Sequence, residues 1–484
     1  MTRTKTQCFL HLVLLLAIPL AVAAQPQSPP ELKRQLYTAI SAGDAQKFAS
    51  LVDFLGQQDR NDLLLYVLSH SEKQPLEIVR VLVDKGANVN EPSRSQTALM
   101  RAADKGYLEI VRLLLSRGAQ VNVNTDDGTP LMMAVNRGHT EIMKILLAAG
   151  ADVKTVHRMG DQALMMAAEQ RSYRTPSAEP NAEVVQLLLA HGADPKARGE
   201  WNRTALMLAN TAAKVKLLVA KGAEIDAKDE YGQTALMHAA SRGNAAVASA
   251  LLDHGASVNL TDNKGLTALL YSLDDENLAH GDERQTLPAR RLAVARRILL
   301  AKRVDVSAAN QDGETPLIRA VRLANVEMVK ALLAKRADAN RSDLFGDTAI
   351  TLAYESDNTE LATLLPATSL KRQPPNVLNA FLRAAVGKKD EAKVKESLAA
   401  GADPNHEYPI SYNHKSIKKT VLILAASMGH PGIVQLLLDK GADPNAKGLI
   451  FGSESGLKYG TALDAAEASK HAEVAALLRK AKQD

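Results

Sequence analysis

The dipeptide Gly-Ala returns along this chain at Gly86, Gly118, Gly150, Gly192, Gly222 and Gly255, and again at Gly401 and Gly441. The first six copies are separated by 32, 32, 42, 30 and 33 residues, so one unit recurs and a single step carries an insertion. A period of this length restricts the fold more than any composition does. Each unit is too small to hide its own apolar face and has to stack on its neighbours. At 484 residues the chain is also too long for one ordinary core, which divides the burial among many thin layers.

Every Gly-Ala follows an apolar run such as Ile110-Val111-Arg112-Leu113-Leu114-Leu115 or Ile433-Val434-Gln435-Leu436-Leu437-Leu438. Apolar positions three and four residues apart predict a helix with one buried stripe, ended by the glycine in a left-handed cap. Upstream stands a second short helix opened by Thr-Ala-Leu or Thr-Pro-Leu at Thr97, Thr129, Thr204, Thr234, Thr267, Thr315 and Thr461. Threonine accepts from an orphan N–H at a helix start, and Pro130 or Pro316 is pre-shaped for the first turn. Between Gly-Ala and the next Thr lie turn-forming Asp, Asn and Gly, as in residues 259–265. The unit is therefore a finger, a helix, a tight turn and an antiparallel helix.

This pattern resembles the ankyrin repeat, most closely along Gly232-Gln233-Thr234-Ala235-Leu236-Met237-His238-Ala239-Ala240-Ser241-Arg242-Gly243. The resemblance implies an all-α solenoid of about twelve repeats whose fingers and inner helices share a concave surface that binds partners, usually proteins. The first two units and the eighth are degenerate. Arg303-Val304 and Arg336-Ala337 replace Gly-Ala in two units and predict looser turns. Pro374-Pro375 precedes a fresh start that resembles a capping repeat. The expected organisation is an array over residues 32–365, a Pro-containing linker over 366–376 and a second block with a C-terminal cap over 377–484. One continuous solenoid with a kink has almost the same signature.

Residues 1–24 read as a cleaved export signal: Arg3 and Lys5 precede an apolar run over 9–22, and small residues close it before Gln25. The run is shorter than the ~20 apolar residues a spanning helix needs, so no membrane span is expected in the mature chain. A polar linker is expected over 25–31. Cys8, the sole cysteine, lies within the signal, which excludes disulfides, thiolate nucleophiles and cysteine metal sites from the mature form. These features predict an exported protein of bacterial type, periplasmic or secreted. The 59 basic and 54 acidic residues nearly balance, and no nucleic-acid partner is expected.

Aromatic residues make up only 4 % of the chain, so their placement is informative. Trp201, Tyr231 and Phe345 each stand three residues before the Thr of their repeat, at the fingertip, where a large ring has little core to join. Exposed Trp and Tyr are favoured recognition hot spots, which makes these three the candidate partner-binding residues. A ring lying flat on its own neighbouring repeat is the competing explanation. Insertions at 171–181, 274–288, 406–418 and 449–459 emerge as loops that either decorate a binding face or have drifted neutrally. The last two fall in adjacent fingers.

Other patterns point to structure. Met100, Met132, Met165, Met207 and Met237 occupy the position where the ankyrin family usually carries His after Thr-Pro-Leu. Thioethers can capture Cu(I) or oxidants, but a whole repeat separates successive sulfurs, so core packing is the expectation. Arg290, Arg291, Arg296, Arg297, Lys302 and Arg303 form a basic cluster behind Asp274, Asp275, Glu276, Asp282 and Glu283, read as a solvated helix face with an acidic loop over it. No phosphate loop, His-Glu-x-x-His or Gly-x-Ser-x-Gly is present, and the twelve histidines are scattered. No catalytic, cofactor-binding or metal-binding residue follows, and no enzyme activity is expected. The predicted role is an exported, monomeric scaffold for an unidentified protein partner, with toxin neutralisation or oxidative-stress defence as the alternative.

Overall fold

Local sequence chemistry sets each helix boundary in the computed structural model. It describes residues 29–71, 75–92, 96–169, 182–274, 283–356, 358–365, 370, 373–412, 415–453 and 456–482. The expected signal and the 171–181 insertion lie outside them. The helices fall into thirteen consecutive antiparallel pairs among the described residues, one more than expected. At most inner helices a threonine hydroxyl accepts the N–H three residues on: Thr97 from Met100 at 3.3 Å, Thr315 from Ile318 at 3.2 Å and Thr420 from Ile423 at 3.2 Å. Gly86 and Gly118 adopt φ of +89° and +80°, and Ala87 N–H then reaches Leu82 O at 2.9 Å as Ala119 reaches Leu114 at 3.0 Å. This is the left-handed closure the sequence predicts.

Arg336 departs from the expected loosening. It takes φ +63° and closes the same turn, with Arg336 N–H on Leu333 O at 2.8 Å and Ala337 N–H on Leu332 O at 3.1 Å. The repeat geometry imposes the left-handed turn on a side chain that disfavours it. After Leu299 the chain turns differently, with Ala301 N–H on Ile298 O at 2.9 Å.

The chain divides into two compact units, residues 1–205 with 220–223, and residues 206–219 with 224–484. In the first, pairs begin at Pro29–Ala42 with Ala45–Val52 and run to Ala163–Glu169 with Ala182–Ala190. The first helix thus starts inside the stretch expected to be a linker. An asparagine four residues after the Gly of one repeat ties it to the next. Asn90 Nδ2 donates to Gly118 O at 3.0 Å while its Oδ1 accepts Gln120 N–H at 2.8 Å, and Asn122 serves Gly150 O and Asp152 N–H in the same way. His139 Nε2 bonds Asp104 O at 3.2 Å and Tyr107 donates to Ser71 O at 2.8 Å, joining neighbouring helix corners.

The second unit holds nearly all of the pair Ala205–Leu208 with Ala212–Ala220 and runs on from Ala235–Ser241 with Ala245–Asp253 to Ala462–Ala468 with Ala472–Ala481. Here Asn259 and Asn405 repeat the asparagine bridge. Across the expected 366–376 linker the flanking repeats pack directly. Tyr354 donates to Asp390 at 2.7 Å, its ring lies 5.8 Å from that of Phe381, and Arg383 pairs with Asp347 and Glu355.

Two of the inserted loops are β-hairpins. Strand β1 (Glu407–Tyr412) pairs antiparallel with β2 (Lys415–Thr420), Glu407 opposite Thr420. Strand β3 (Gly448–Ser453) pairs with β4 (Gly456–Gly460), with an irregularity between Leu449 and Phe451. A Cβ at Gly448 would stand 3.1 Å from Lys418 O, so the two hairpins lie against each other.

The core is aliphatic and methionine-rich, as the scarcity of rings requires. Met100, Met132, Met165, Met207 and Met237 are all buried, at most 1 % exposed. Met237 Sδ accepts the Thr234 N–H at 3.4 Å and so fills the capping-box role of a carboxylate. Arg290, Arg296, Lys302 and Arg303 are exposed, as a solvated helix face requires, and Arg291 alone departs from that expectation. Arg291 is buried, and its guanidinium donates to Ser241 O at 2.8 Å and Asp274 O at 2.6 Å, supplying the end of the neighbouring inner helix. Arg296 and Arg297 pair with Glu327 and Asp253. Asp275, Glu276 and Asp282 lie outside the described residues.

Candidate functional site

Stacked helix pairs leave their fingers as the place where side chains escape burial. In the first unit, the finger ahead of Ala205 makes a 3-10 turn over Glu200–Asn202, with Gly199 N–H on Arg203 O at 2.9 Å. Trp201 sits at its tip in the left-handed region, φ 53° and ψ 31°, followed by Asn202 at φ 60°. A bulky residue in that region costs on the order of 1–2 kcal/mol. The indole is 45 % exposed, and the Arg203 guanidinium lies 4.1 Å from its centroid. The preceding finger closes with His157 N–H on Asp161 O at 2.7 Å and presents Val156 and Met159, 48 % and 53 % exposed. Glu200 N–H donates to Asp161 Oδ1 at 3.0 Å, tying these two fingers together. Three apolar side chains therefore stand out on adjoining, hydrogen-bonded tips.

In the second unit each fingertip rests on the next through its backbone. Asn263 N–H meets Tyr231 O at 3.0 Å, Gln311 N–H meets Lys264 O at 3.0 Å, and Leu344 N–H meets Asp312 O at 2.8 Å. An acidic or amide residue at the finger base accepts two N–H groups of its own loop, as Asp229 does from Tyr231 and Gln233 and Asp343 does from Phe345 and Asp347. Its other oxygen takes a side chain: His238 at 2.8 Å on Asp229, the Tyr271 hydroxyl at 2.7 Å on Asp262, Arg322 at 2.8 Å on Asp343. Burial alone would raise the Asp229 carboxyl, but His238 and the loop N–H groups outweigh it and hold it below its ordinary range. Rigid tips then carry Tyr231, 53 % exposed, and Leu344, 63 % exposed, while Phe345 is half-buried.

Trp201 thus lies in the first unit, and Tyr231 and Phe345 in the second. Trp201 and Tyr231 are exposed; Phe345 turns its ring partly inward and yields the outer place to Leu344. Val156, Met159 and Leu344 were missed by the sequence reading. Counting back three residues from Gln162, which stands where most other repeats carry Thr, would have found Met159.

Beneath the fingers of the second unit runs an ionic network. Arg319 pairs with Glu314 at 3.1 Å, Arg322 with Glu314 and with Asp343, and Arg383 with Asp347 and Glu355. Burial, with Asp347 beside it, pushes the Asp343 carboxyl up to about 6. These groups tie successive repeats together. Among the described residues no group of three or more His, Cys, Asp or Glu side chains is placed to hold a metal ion. No helix among them is long and apolar enough to cross a membrane.

Helix pairs stacked through asparagine bridges, with ordered fingertips bearing apolar side chains, define a repeat scaffold that offers surface to another macromolecule. A family model described as ankyrin repeats in three copies matches residues 36–125, 123–199, 177–262, 206–280 and 291–373, and one described as ankyrin repeat matches 418–449. These matches span well over half of the chain, which belongs to the ankyrin-repeat family. Its repeats form a scaffold for protein–protein interaction. No curated protein matches the chain significantly.

Proposed function

We propose that this chain is an exported, monomeric scaffold that engages a protein through its fingertips, with Trp201 and Tyr231 as the principal anchors and Phe345 at the edge of the second contact. The observation that carries this reading is the combination at Trp201: a large ring, nearly half exposed, on a backbone held in an unfavourable left-handed conformation by its neighbours. Strain of this kind persists where surrounding structure imposes it, and it places a hot-spot residue ready for contact with little ordering left to do. Export rests on residues 1–24 and on the confinement of cysteine to Cys8, and the compartment proposed is periplasmic or secreted. Oxidant capture by the methionine ladder forms no part of the proposal, because those sulfurs are buried.

The test is co-purification from the exported fraction. Wild-type protein should retain a partner that Trp201→Ala with Tyr231→Ala loses, while the helical circular dichroism of the two proteins coincides. Undiminished capture by the double variant would overturn the assignment of the anchors. N-terminal sequencing of the exported protein should begin at Gln25 or one residue earlier, and a chain retaining Met1 in that fraction would overturn the cleavage.

A further inference from the structure

The first two repeats hold a second concentration of exposed rings. Tyr37 on the helix Pro29–Ala42 and Tyr66 on the helix Gln57–His70 meet edge to face, 4.8 Å between centroids at 66°. Tyr66 also stacks on His70 at 4.4 Å. In a chain with so few aromatics these rings are 40 % and 37 % exposed instead of filling the core. They wall a cleft of about 270 Å³ with Leu36, Leu55 and Leu63 as its apolar lining and Asp59, Asp62 and Lys33 at its edge. On the other side of the same ring pair lies a larger hollow of about 840 Å³ bordered by Glu77.

The chemistry of the smaller cleft selects its occupant. Tyrosine faces attract a cation placed over them, most of all a flat guanidinium that also stacks. Asp59 and Asp62 are three residues apart on one helix face, so their carboxylates stand on the same side. Asp62 Oδ1 accepts from Gln58 Nε2 at 3.1 Å, a bond that occupies one of its two oxygens. Two carboxylates against the single ammonium of Lys33 leave the rim negative. A neutral apolar ligand would gain nothing from these acids, and an anion would be repelled.

We propose that this cleft binds an arginine side chain of a partner protein, its guanidinium over one tyrosine face of the Tyr37 and Tyr66 pair and its N–H groups directed to Asp59 and Asp62. The proposal rests on the scaffold reading only in that a protein carries the arginine, and it is independent of the fingertips.

The probe is a nonapeptide of Gly and Ser with one central arginine, set beside the same peptide with citrulline, a neutral isostere. The readout is 19F NMR of the full-length protein labelled with 3-fluorotyrosine, the signals assigned with Tyr37→Phe and Tyr66→Phe. Titration of the arginine peptide should shift the Tyr37 and Tyr66 signals alone, and citrulline should leave them in place. Asp59→Asn with Asp62→Asn should weaken binding at least about fivefold, a loss of roughly 1 kcal/mol, and Lys33→Gln should tighten it. Tyr66→Phe, which keeps the ring and the fold, should bind as wild type does. Equal shifts with arginine and citrulline, no shift of either signal, or full affinity in the double asparagine variant would each overturn the proposal. Loss of fingertip binding in Trp201→Ala with peptide binding intact separates this site from the anchors above.

Discussion

Replacing Arg291 by alanine tests whether this one member of the basic cluster is structural or merely solvated. Its guanidinium donates to Ser241 O at 2.8 Å and to Asp274 O at 2.6 Å from a buried position. A hydrogen bond from a charged donor contributes about 1.5–3 kcal/mol, and truncation strips two part-buried carbonyls of that donor at once. With some water admitted to the gap, the expected loss is roughly 3–5 kcal/mol. Arg296 on the same helix makes only an exposed pair with Glu327, so Arg296→Ala should cost no more than about 1 kcal/mol. Urea unfolding followed by circular dichroism measures the difference, and hydrogen exchange locates it, since repeat arrays can unfold in segments. Arg291→Ala should lower the transition midpoint and release protection in the helix Ala235–Ser241. Arg291→Lys should recover less than half of the loss, because a compact ammonium lacks the fork that serves both carbonyls. Equal, small effects at Arg291 and Arg296 would refute the reasoning and extend the solvated reading to Arg291.

Further outcomes follow from other repeats. Arg336→Gly should stabilise the second unit by about 1 kcal/mol in thermal unfolding, because glycine accepts the φ of +63° that Arg336 is forced to adopt, and a lowered midpoint would contradict this. Asn122→Ala should cost about 1–2 kcal/mol by removing both bonds of the bridge to Gly150 and Asp152, and an unchanged midpoint would show that the bridge contributes nothing net. Lys214 is buried with its ammonium on Asn210 Oδ1 at 3.0 Å, and burial pushes it down to about 8 from its ordinary 10.5. Between those values the unfolded chain binds more protons than the folded one, so stability should rise from pH 8 to 10.5, and Lys214→Met should flatten that rise. An identical slope in the variant would contradict the assignment.

Much of this fold was legible because its signals repeat. Thr97 and Thr315 had to cap helices, Gly86 and Gly118 had to turn left-handed, and a stack short of rings had to use Met100 and Met237 as core. Position within the repeat also brought Trp201 and Tyr231 to exposed tips. What escaped depends on contacts between repeats. The pull on Asn90 and Asn122 comes from a carbonyl 28 residues away, and Arg291 is buried by a helix 50 residues earlier, so neither is marked by its own neighbours. Tyr37 and Tyr66 sit in degenerate repeats without the threonine that sets the register. Inserted residues around Tyr408 and Leu449 read as loops because Pro409 and Gly452 interrupt strands whose pairing only the hairpin reveals.

Site-specific photocrosslinking in the native host tests the central claim most directly. A benzophenone side chain is placed at Trp201 or Tyr231, and at Arg112 or Lys330 on exposed outer helices as controls. The account predicts that irradiation joins one and the same protein to the fingertip positions and leaves the outer-helix positions bare. Adducts formed from the outer helices alone, with none from the fingertips, would contradict it.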